Sequence, residues 1–263
     1  MKILLIGDIV GEVGRRMVMQ RLLPLVQQQS IDLVIANGEN AAAGFGMTPR
    51  IAEELFRTGV HVITLGNHTW DKKEMLDVLS KEHRLLRPAN YPEGVPGSGR
   101  VVVTTAANDR VGVLHLVGRV FMAPLDCPFR RARHELKVLR ENTPVIVVDF
   151  HGEATSEKQA MGWYLDGEVS AVLGTHTHVQ TADEQILPRG TAYITDVGMT
   201  GPVESIIGMK RDIVLERFTT QIPKRLEPAM GPGQLAGVLV EIDPRSGRSQ
   251  AIQRILIRES EMR

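Results

Sequence analysis

The chain has 263 residues, 43% hydrophobic, and its 31 basic and 31 acidic side chains give a formal net charge of +0. That length suits a single α/β domain over 1–263, and the charge balance excludes an extended nucleic-acid surface built on long-range attraction. The single cysteine, Cys127, excludes an intramolecular disulfide or a cysteine-based zinc knuckle, and no apolar run approaches the roughly 18 to 20 residues of a bilayer span, so a soluble cytoplasmic protein is expected.

The first apolar run, KILLIG, predicts a strand over 3–7 leading to Asp8 and a GDIVGEVG turn. Met17, Leu22, Leu25 and Val26 recur at helical spacing, which predicts a helix over 15–29 that stops at Ser30. DLVIAN is the second strand and runs into Glu39, Asn40 and the flexible AAAGFGMT segment. Thr48 as N-cap and Pro49 at the first helical position predict a helix over 48–57. A strand over 60–65 and a helix around 71–80 complete a β-α-β-α-β-α order, hence a parallel, right-handed start.

The middle changes character. Two strand-like runs within 85–120 are broken by turn residues and predict hairpins. Helices are expected near 129–140 and 154–165, and strands at 145–150 and 169–173. The segments 185–195 and 235–257 read as strands again, the second folded back at DPRSGR. Parallel pairing followed by antiparallel pairing predicts two mixed sheets packed face to face.

Five of the apolar runs end in residues that suit hard or borderline metals: Asp8, Glu39-Asn40, Asn67-His68, His151 and His176-Thr177-His178. In open α/β sheets the ligand site lies beyond the carboxyl ends of the strands, so all five clusters would meet at one edge. Individually most have a plain structural explanation. Asp8 serves equally well as a cap, NGEN as a polar turn, and a lone His as a packed one. His176 and His178 stand two apart and would project to one side of an extended segment, while Asn67 and His68 would face opposite ways. Jointly, one Asp, one Glu, two Asn and three His form a mixed O/N set without sulfur, which fits two Mn, Fe, Co or Zn ions.

Other features have ordinary readings. His61, His83, His115 and His134 lie outside the pattern and are assigned structural roles. GEVGRR lacks a Walker lysine and the G-x-G-x-x-G spacing, although Arg15 and Arg16 fall near enough to meet a phosphate. FRRARHELK reads as an exposed helix face.

The succession GD, GEN, GNH, H and GTHTH resembles the calcineurin-like metallophosphoesterases, whose usual blocks are D-x-H, G-D-x-x-D, G-N-H-[ED], H and G-H-x-H. Val10 stands where their first histidine is expected, Glu39 replaces the bridging aspartate, and Asn40 follows it. With GDIVG, NGEN, GNHTW, GTHTH and ITDVGMTGP, the chain looks like the bacterial YmdB-like subfamily over essentially its whole length. The resemblance implies a four-layer α/β/β/α sandwich and a phosphodiesterase of 2',3'-cyclic nucleotides with two metal ions. Asp8, Glu39, Asn40 and His178 would hold the first ion, and Glu39, Asn67, His151 and His176 the second. An amide oxygen from Asn40 in place of an imidazole makes the first site harder, which favours Fe or Mn.

On this reading a hydroxide shared by the two ions attacks phosphorus and His68, adjacent to Asn67, protonates the leaving ribose oxygen. The family expectation is release at the 2' oxygen to leave a 3'-phosphate. The partner is then a small phosphodiester or an RNA end, and a homo-oligomer is compatible with it. Two other readings share the residues: a regulatory nucleotide- or partner-binding protein with weak hydrolysis, and a phosphomonoesterase or nucleotidase.

Overall fold

The computed structural model describes residues 1–259. The first half comprises β1 (Lys2–Ile6), β2 (Asp8–Ile9), α1 (Gly11–Gln29), β3 (Leu33–Asn37), α2 (Pro49–Arg57), β4 (Val62–Thr64), α3 (Met75–Leu79), β5 (Leu85–Leu86), β6 (Arg100–Thr104) and β7 (Arg110–Val117). There follow α4 (Pro128–Arg140), β8 (Ile146–His151), α5 (Thr155–Leu165), β9 (Ala171–Thr175), β10 (Gln185–Ile186), β11 (Ala192–Ile194), β12 (Met199–Pro202), α6 (Arg211–Thr220), β13 (Gly233–Ile242) and β14 (Ser249–Arg258).

Among the described residues the strands form two mixed sheets. The first runs β2-β12-β13-β1-β3-β4-β5, with β14 paired antiparallel to β13. Its β1, β3, β4 and β5 are parallel, as the early β-α alternation requires, whereas β13 is antiparallel to β1. The second runs β10-β11-β9-β8-β7-β6, with parallel inner strands and antiparallel edges.

Strand alternation divides the core into three layers. Leu4, Ile6, Val34 and Ile63 face Met17, Leu22, Ile51 and Leu55 of the first helices. Ile3, Leu5, Leu33, Ile35 and Val62 meet Val111, Val113, Val147 and Leu173 between the sheets. Leu114, Val148 and Phe150 face Ala132, Leu136, Met161 and Leu165 of α4 and α5. The order is helix, sheet, sheet, helix, the expected four-layer sandwich.

The inter-sheet layer is apolar until the strands reach their carboxyl ends. Counting on by two from Ile35, Val62, Val113, Val147 and Leu173 gives Asn37, Thr64, His115, Asp149 and Thr175, and once more His151. All six are fully buried, so the floor beneath that edge is a polar layer inside the sandwich.

Several boundaries differ from the sequence expectation. The helix expected over 15–29 begins at Gly11, because GEVG is its first turn; Gly14 lies so close to the Thr200 carbonyl that a Cβ there would collide with it. The helix around 71–80 is confined to Met75–Leu79. Of the hairpins expected within 85–120, β6 and β7 pair antiparallel, but β5 joins β4 in parallel. Thr48 caps α2 as expected, its Oγ1 accepting from the Ile51 N–H at 3.3 Å. No helix among the described residues is long and apolar enough to cross a membrane.

Candidate metal centre

The five strand-end clusters converge. Asp8 sits in β2 and is held against the GTHTH turn, where its Oδ2 accepts from the His176 N–H at 3.1 Å. Glu39 follows β3 and takes the His68 N–H on Oε2 at 3.2 Å, while its Oε1 lies 3.1 Å from His151 Nε2. His151 Nε2 also lies 2.9 Å from Asn67 Oδ1 and 3.0 Å from His176 Nδ1. Glu39, His151 and His176 form one group of potential ligand atoms within 4.8 Å of one another, and Asp8, Glu39 and His178 form another. Glu39 is common to both.

The ring nitrogens have a shared arrangement. His151 Nδ1 lies 2.9 Å from Thr175 Oγ1, whose hydroxyl donates to Asp149 at 2.8 Å, and 3.3 Å from the Asn37 amide nitrogen; with its proton on Nδ1 the ring would turn the Nε2 lone pair to the cluster. His176 Nε2 lies 3.0 Å from the Glu153 carboxylate, on the side away from Nδ1, which faces inward. His178 Nδ1 donates to the Ile207 carbonyl at 2.9 Å, leaving Nε2 toward Asp8. Neutral rings with their N–H groups on these outer partners would turn three lone pairs to the middle of the cluster, the usual outer-shell arrangement of metal-binding histidines.

A cation fits these donors. Asp8 Oδ1 and Asn40 Oδ1 are buried without a hydrogen-bond partner, although such groups are normally satisfied. Asn40 Nδ2 is engaged by the Gly44 carbonyl at 3.1 Å, which leaves the amide oxygen as the free end. Ligands about 2.1 Å from one ion and at right angles stand roughly 3 Å apart. The 2.9, 3.0 and 3.1 Å separations around His151 Nε2 have that spacing.

The electrostatics point the same way. Burial pushes Asp8 up to about 6, although His178 and His151 oppose it. Burial also acts upward on Glu39, but the neighbouring imidazoles, His151 first, outweigh it and bring it down to about 2. Burial lowers His151, yet Glu39 and Asp8 prevail and lift it to about 9; His176, buried beside it, falls to about 3. The buried carboxylates thus demand positive charge, which a proton on His151 or a cation can meet.

His68 lies at the rim rather than among these atoms. Its Nδ1 is 2.8 Å from Asp71 Oδ2, and its ring makes an edge contact with Phe45. It lines a cavity of about 320 Å³ together with Glu39, Asn40, Glu153, His176 and His178.

Two local expectations are corrected. Gly66–His68 is a 3-10 turn, not extended, and it is the turn that separates Asn67 from His68. A side chain at Gly66 would overlap Glu39 Oε2 and His151 Nε2. The GTHTH segment is not extended either, since His176 and His178 have φ of 102° and 67°. The two rings consequently serve different groups. Arg15 and Arg16 are engaged away from the cluster, with Ala41 and Glu54 and with Glu259.

Sequence reasoning missed the supports. Lys158 and Asp196 form a fully buried ion pair at 2.6 Å, and Asp196 also accepts from the Thr177 N–H and hydroxyl, anchoring the histidine turn. His115 does have a structural role: its Nε2 accepts from the Gly66 N–H at 2.9 Å while Nδ1 faces Asp149. Asp149 and Glu153 flank His151 in DFHGE, so proximity to a candidate ligand was the available signal for them.

A family model described as "YmdB-like protein" matches residues 4–255. The chain belongs to the YmdB-like family. Its YmdB-like relatives include a Bacillus subtilis (strain 168) protein named 2',3'-cyclic-nucleotide 2'-phosphodiesterase, 50% identical over 262 residues that cover 100% of this chain and 99% of that one. A Thermus thermophilus protein of solved structure superposes with a TM-score of 0.92 at 43% identity, covering 98% of this chain and 100% of the other. The crystal structure of a Mycoplasma pneumoniae protein described as a novel phosphatase matches with a TM-score of 0.92 at 34% identity, covering 98% and 93% of the two chains. The YmdB-like sandwich described above is therefore shared along nearly the full chain.

Proposed function

We propose that this chain is a metal-dependent phosphodiesterase that opens 2',3'-cyclic nucleotides at the 2' ester to leave 3'-phosphates. The observation that carries the reading is Glu39, whose carboxylate belongs to both ligand groups at the floor of the 320 Å³ cavity. The 50% identity to a full-length cyclic-nucleotide phosphodiesterase supports the activity and its substrate class.

Asp8, Glu39, Asn40 and His178 would hold one ion, and Glu39, Asn67, His151 and His176 the other. Bound ions would supply Lewis-acid charge toward the phosphate and a nucleophile at neutral pH. The oxygen-rich first set suits Fe or Mn, with Zn or Co also compatible with the donors. His68 stands beside the cavity with Nδ1 fixed by Asp71, so Nε2 is the atom from which a proton reaches the leaving 2' oxygen. A reducing cytoplasm fits the single thiol, Cys127.

The test is hydrolysis of 2',3'-cyclic AMP with added Mn²⁺, with the product resolved by phosphorus NMR, beside paired chromogenic di- and monoesters. A 3'-phosphate and a preference for the diester are expected. Turnover of the monoester alone would replace this reading with a phosphomonoesterase.

A further inference from the structure

The candidate catalytic cavity has a second one beside it. The adjoining cavity, about 520 Å³, shares Ile207, Met209 and Leu226 with the first and continues along Val214 and Phe218 of α6. Small-ligand sites commonly enclose about 300 to 1,000 Å³, so each cavity is of a size to take a nucleotide-scale group. The pair suits a substrate longer than one nucleotide.

The lining of the second cavity matches a single strand. Phe218 is 70% exposed beside it and Ile222, just past α6, is 57% exposed, so two large apolar side chains stand open to solvent next to the cavity. Arg217 lines the same cavity, and its guanidinium has no hydrogen bond or ion pair among the described residues. Three basic neighbours differ: Lys210, Arg211 and Lys224 are paired with Glu227, Glu204 and Glu216. An exposed ring beside an uncommitted guanidinium is the combination that single strands use, with bases stacking and the cation meeting the backbone. Gln221 adds a free amide oxygen, since its Nε2 donates to the Phe218 carbonyl at 3.0 Å.

We infer that the chain acts on short RNA 3' ends that carry a 2',3'-cyclic phosphate. The terminal cyclic ester enters the first cavity, and the preceding nucleotide lies along Leu226 and Phe218 with its phosphate at Arg217. This rests on the phosphodiesterase reading and extends its substrate class from mononucleotides to strand ends. One guanidinium makes a short footprint, in keeping with the overall charge balance of 31 basic against 31 acidic residues. Hydrolysis adds water across the P–O2' bond: hydroxyl goes to phosphorus, the proton to O2', and the upstream strand is untouched.

The test compares kcat/KM for 2',3'-cyclic AMP with that for di- and trinucleotides ending in the same cyclic phosphate. The wild type should favour the longer substrates, and Phe218→Ala and Arg217→Ala should each cut the ratio of oligonucleotide to mononucleotide kcat/KM. Stacking on one aromatic ring supports a loss in that ratio of about 5- to 160-fold for Phe218→Ala. Arg217→Ala should also flatten the logarithmic salt dependence of oligonucleotide kcat/KM by about 0.7, the value for one single-strand phosphate contact. Hydrolysis of 2',3'-cyclic AMP with no gain from added nucleotides, or an unchanged ratio in both variants, overturns this inference and leaves the parent reading intact. Absence of hydrolysis on every cyclic ester overturns both.

Discussion

His176 is held between Glu153 and His151: its Nε2 lies 3.0 Å from the Glu153 carboxylate and its Nδ1 lies 3.0 Å from His151 Nε2. Glu153 thus stands where it can hold the outer nitrogen of His176, with the other facing the candidate centre. Removing a carboxylate that orients a metal-binding histidine typically costs about 10- to 100-fold in affinity or activity. Glu153→Ala is expected to weaken metal retention by that order, read by metal content after dialysis against a graded chelator. Retention equal to wild type would make the contact incidental.

Glu39 and His68 should separate into two kinds of variant. Glu39→Gln removes the carboxylate common to both ligand groups and should lose bound metal and turnover together. His68→Ala should keep the metal content and lose about 10² to 10⁴ in kcat, the usual contribution of general acid catalysis. The loss should be largest for esters with poor leaving groups. Full kcat on such an ester would exclude His68 as the proton donor.

The Lys158–Asp196 pair is fully buried, so removing one partner strands a charge. Lys158→Met is expected to destabilise the fold by about 3 to 5 kcal/mol, measured by denaturant unfolding. Lys158→Met combined with Asp196→Asn should recover part of that loss, because no carboxylate is left unpaired. A single variant as stable as wild type would contradict the anchoring role of the pair.

His61 gives a pH dependence away from the candidate centre. Its Nδ1 accepts from the Val34 N–H at 3.0 Å, and partial desolvation, with Arg84 nearby, holds the ring below its ordinary pKa. The unfolded chain therefore takes up the proton first as pH falls. The contribution is present above the unfolded value near 6.5 and is lost as pH drops through it toward the folded value. Between pH 7.5 and 5.5 the wild type should lose more stability than His61→Asn, both followed by thermal melts. Equal losses would show that His61 does not titrate in this way.

The sequence exposed what local order governs. Apolar runs such as LVIAN and VIVVDF marked the buried strands, and the residues beyond them marked the edge where Asp8, Glu39, Asn67, His151 and His176 meet. Thr48-Pro49 declared the start of α2 because capping is a contact across three residues. What stayed hidden depends on distant chain. Gly14 reads as a turn residue until the Thr200 carbonyl is seen against it, and Asp196 finds Lys158 from 38 residues away. The positive φ of His176 and His178 belongs to the same class. Asp8 and Asp196 accept from the backbone N–H groups of His176 and Thr177, and those bonds hold the turn out of the extended form its spacing suggests.

The central claim is that Glu39 is shared by two metal ions. Anomalous diffraction at the Mn and Fe edges from crystals of the metal-loaded protein tests it most directly. Two peaks are expected, both within coordination distance of the Glu39 carboxylate, one beside Asp8 and His178 and the other beside His151 and His176. A single peak at full loading, or two peaks of which one does not contact Glu39, would contradict it.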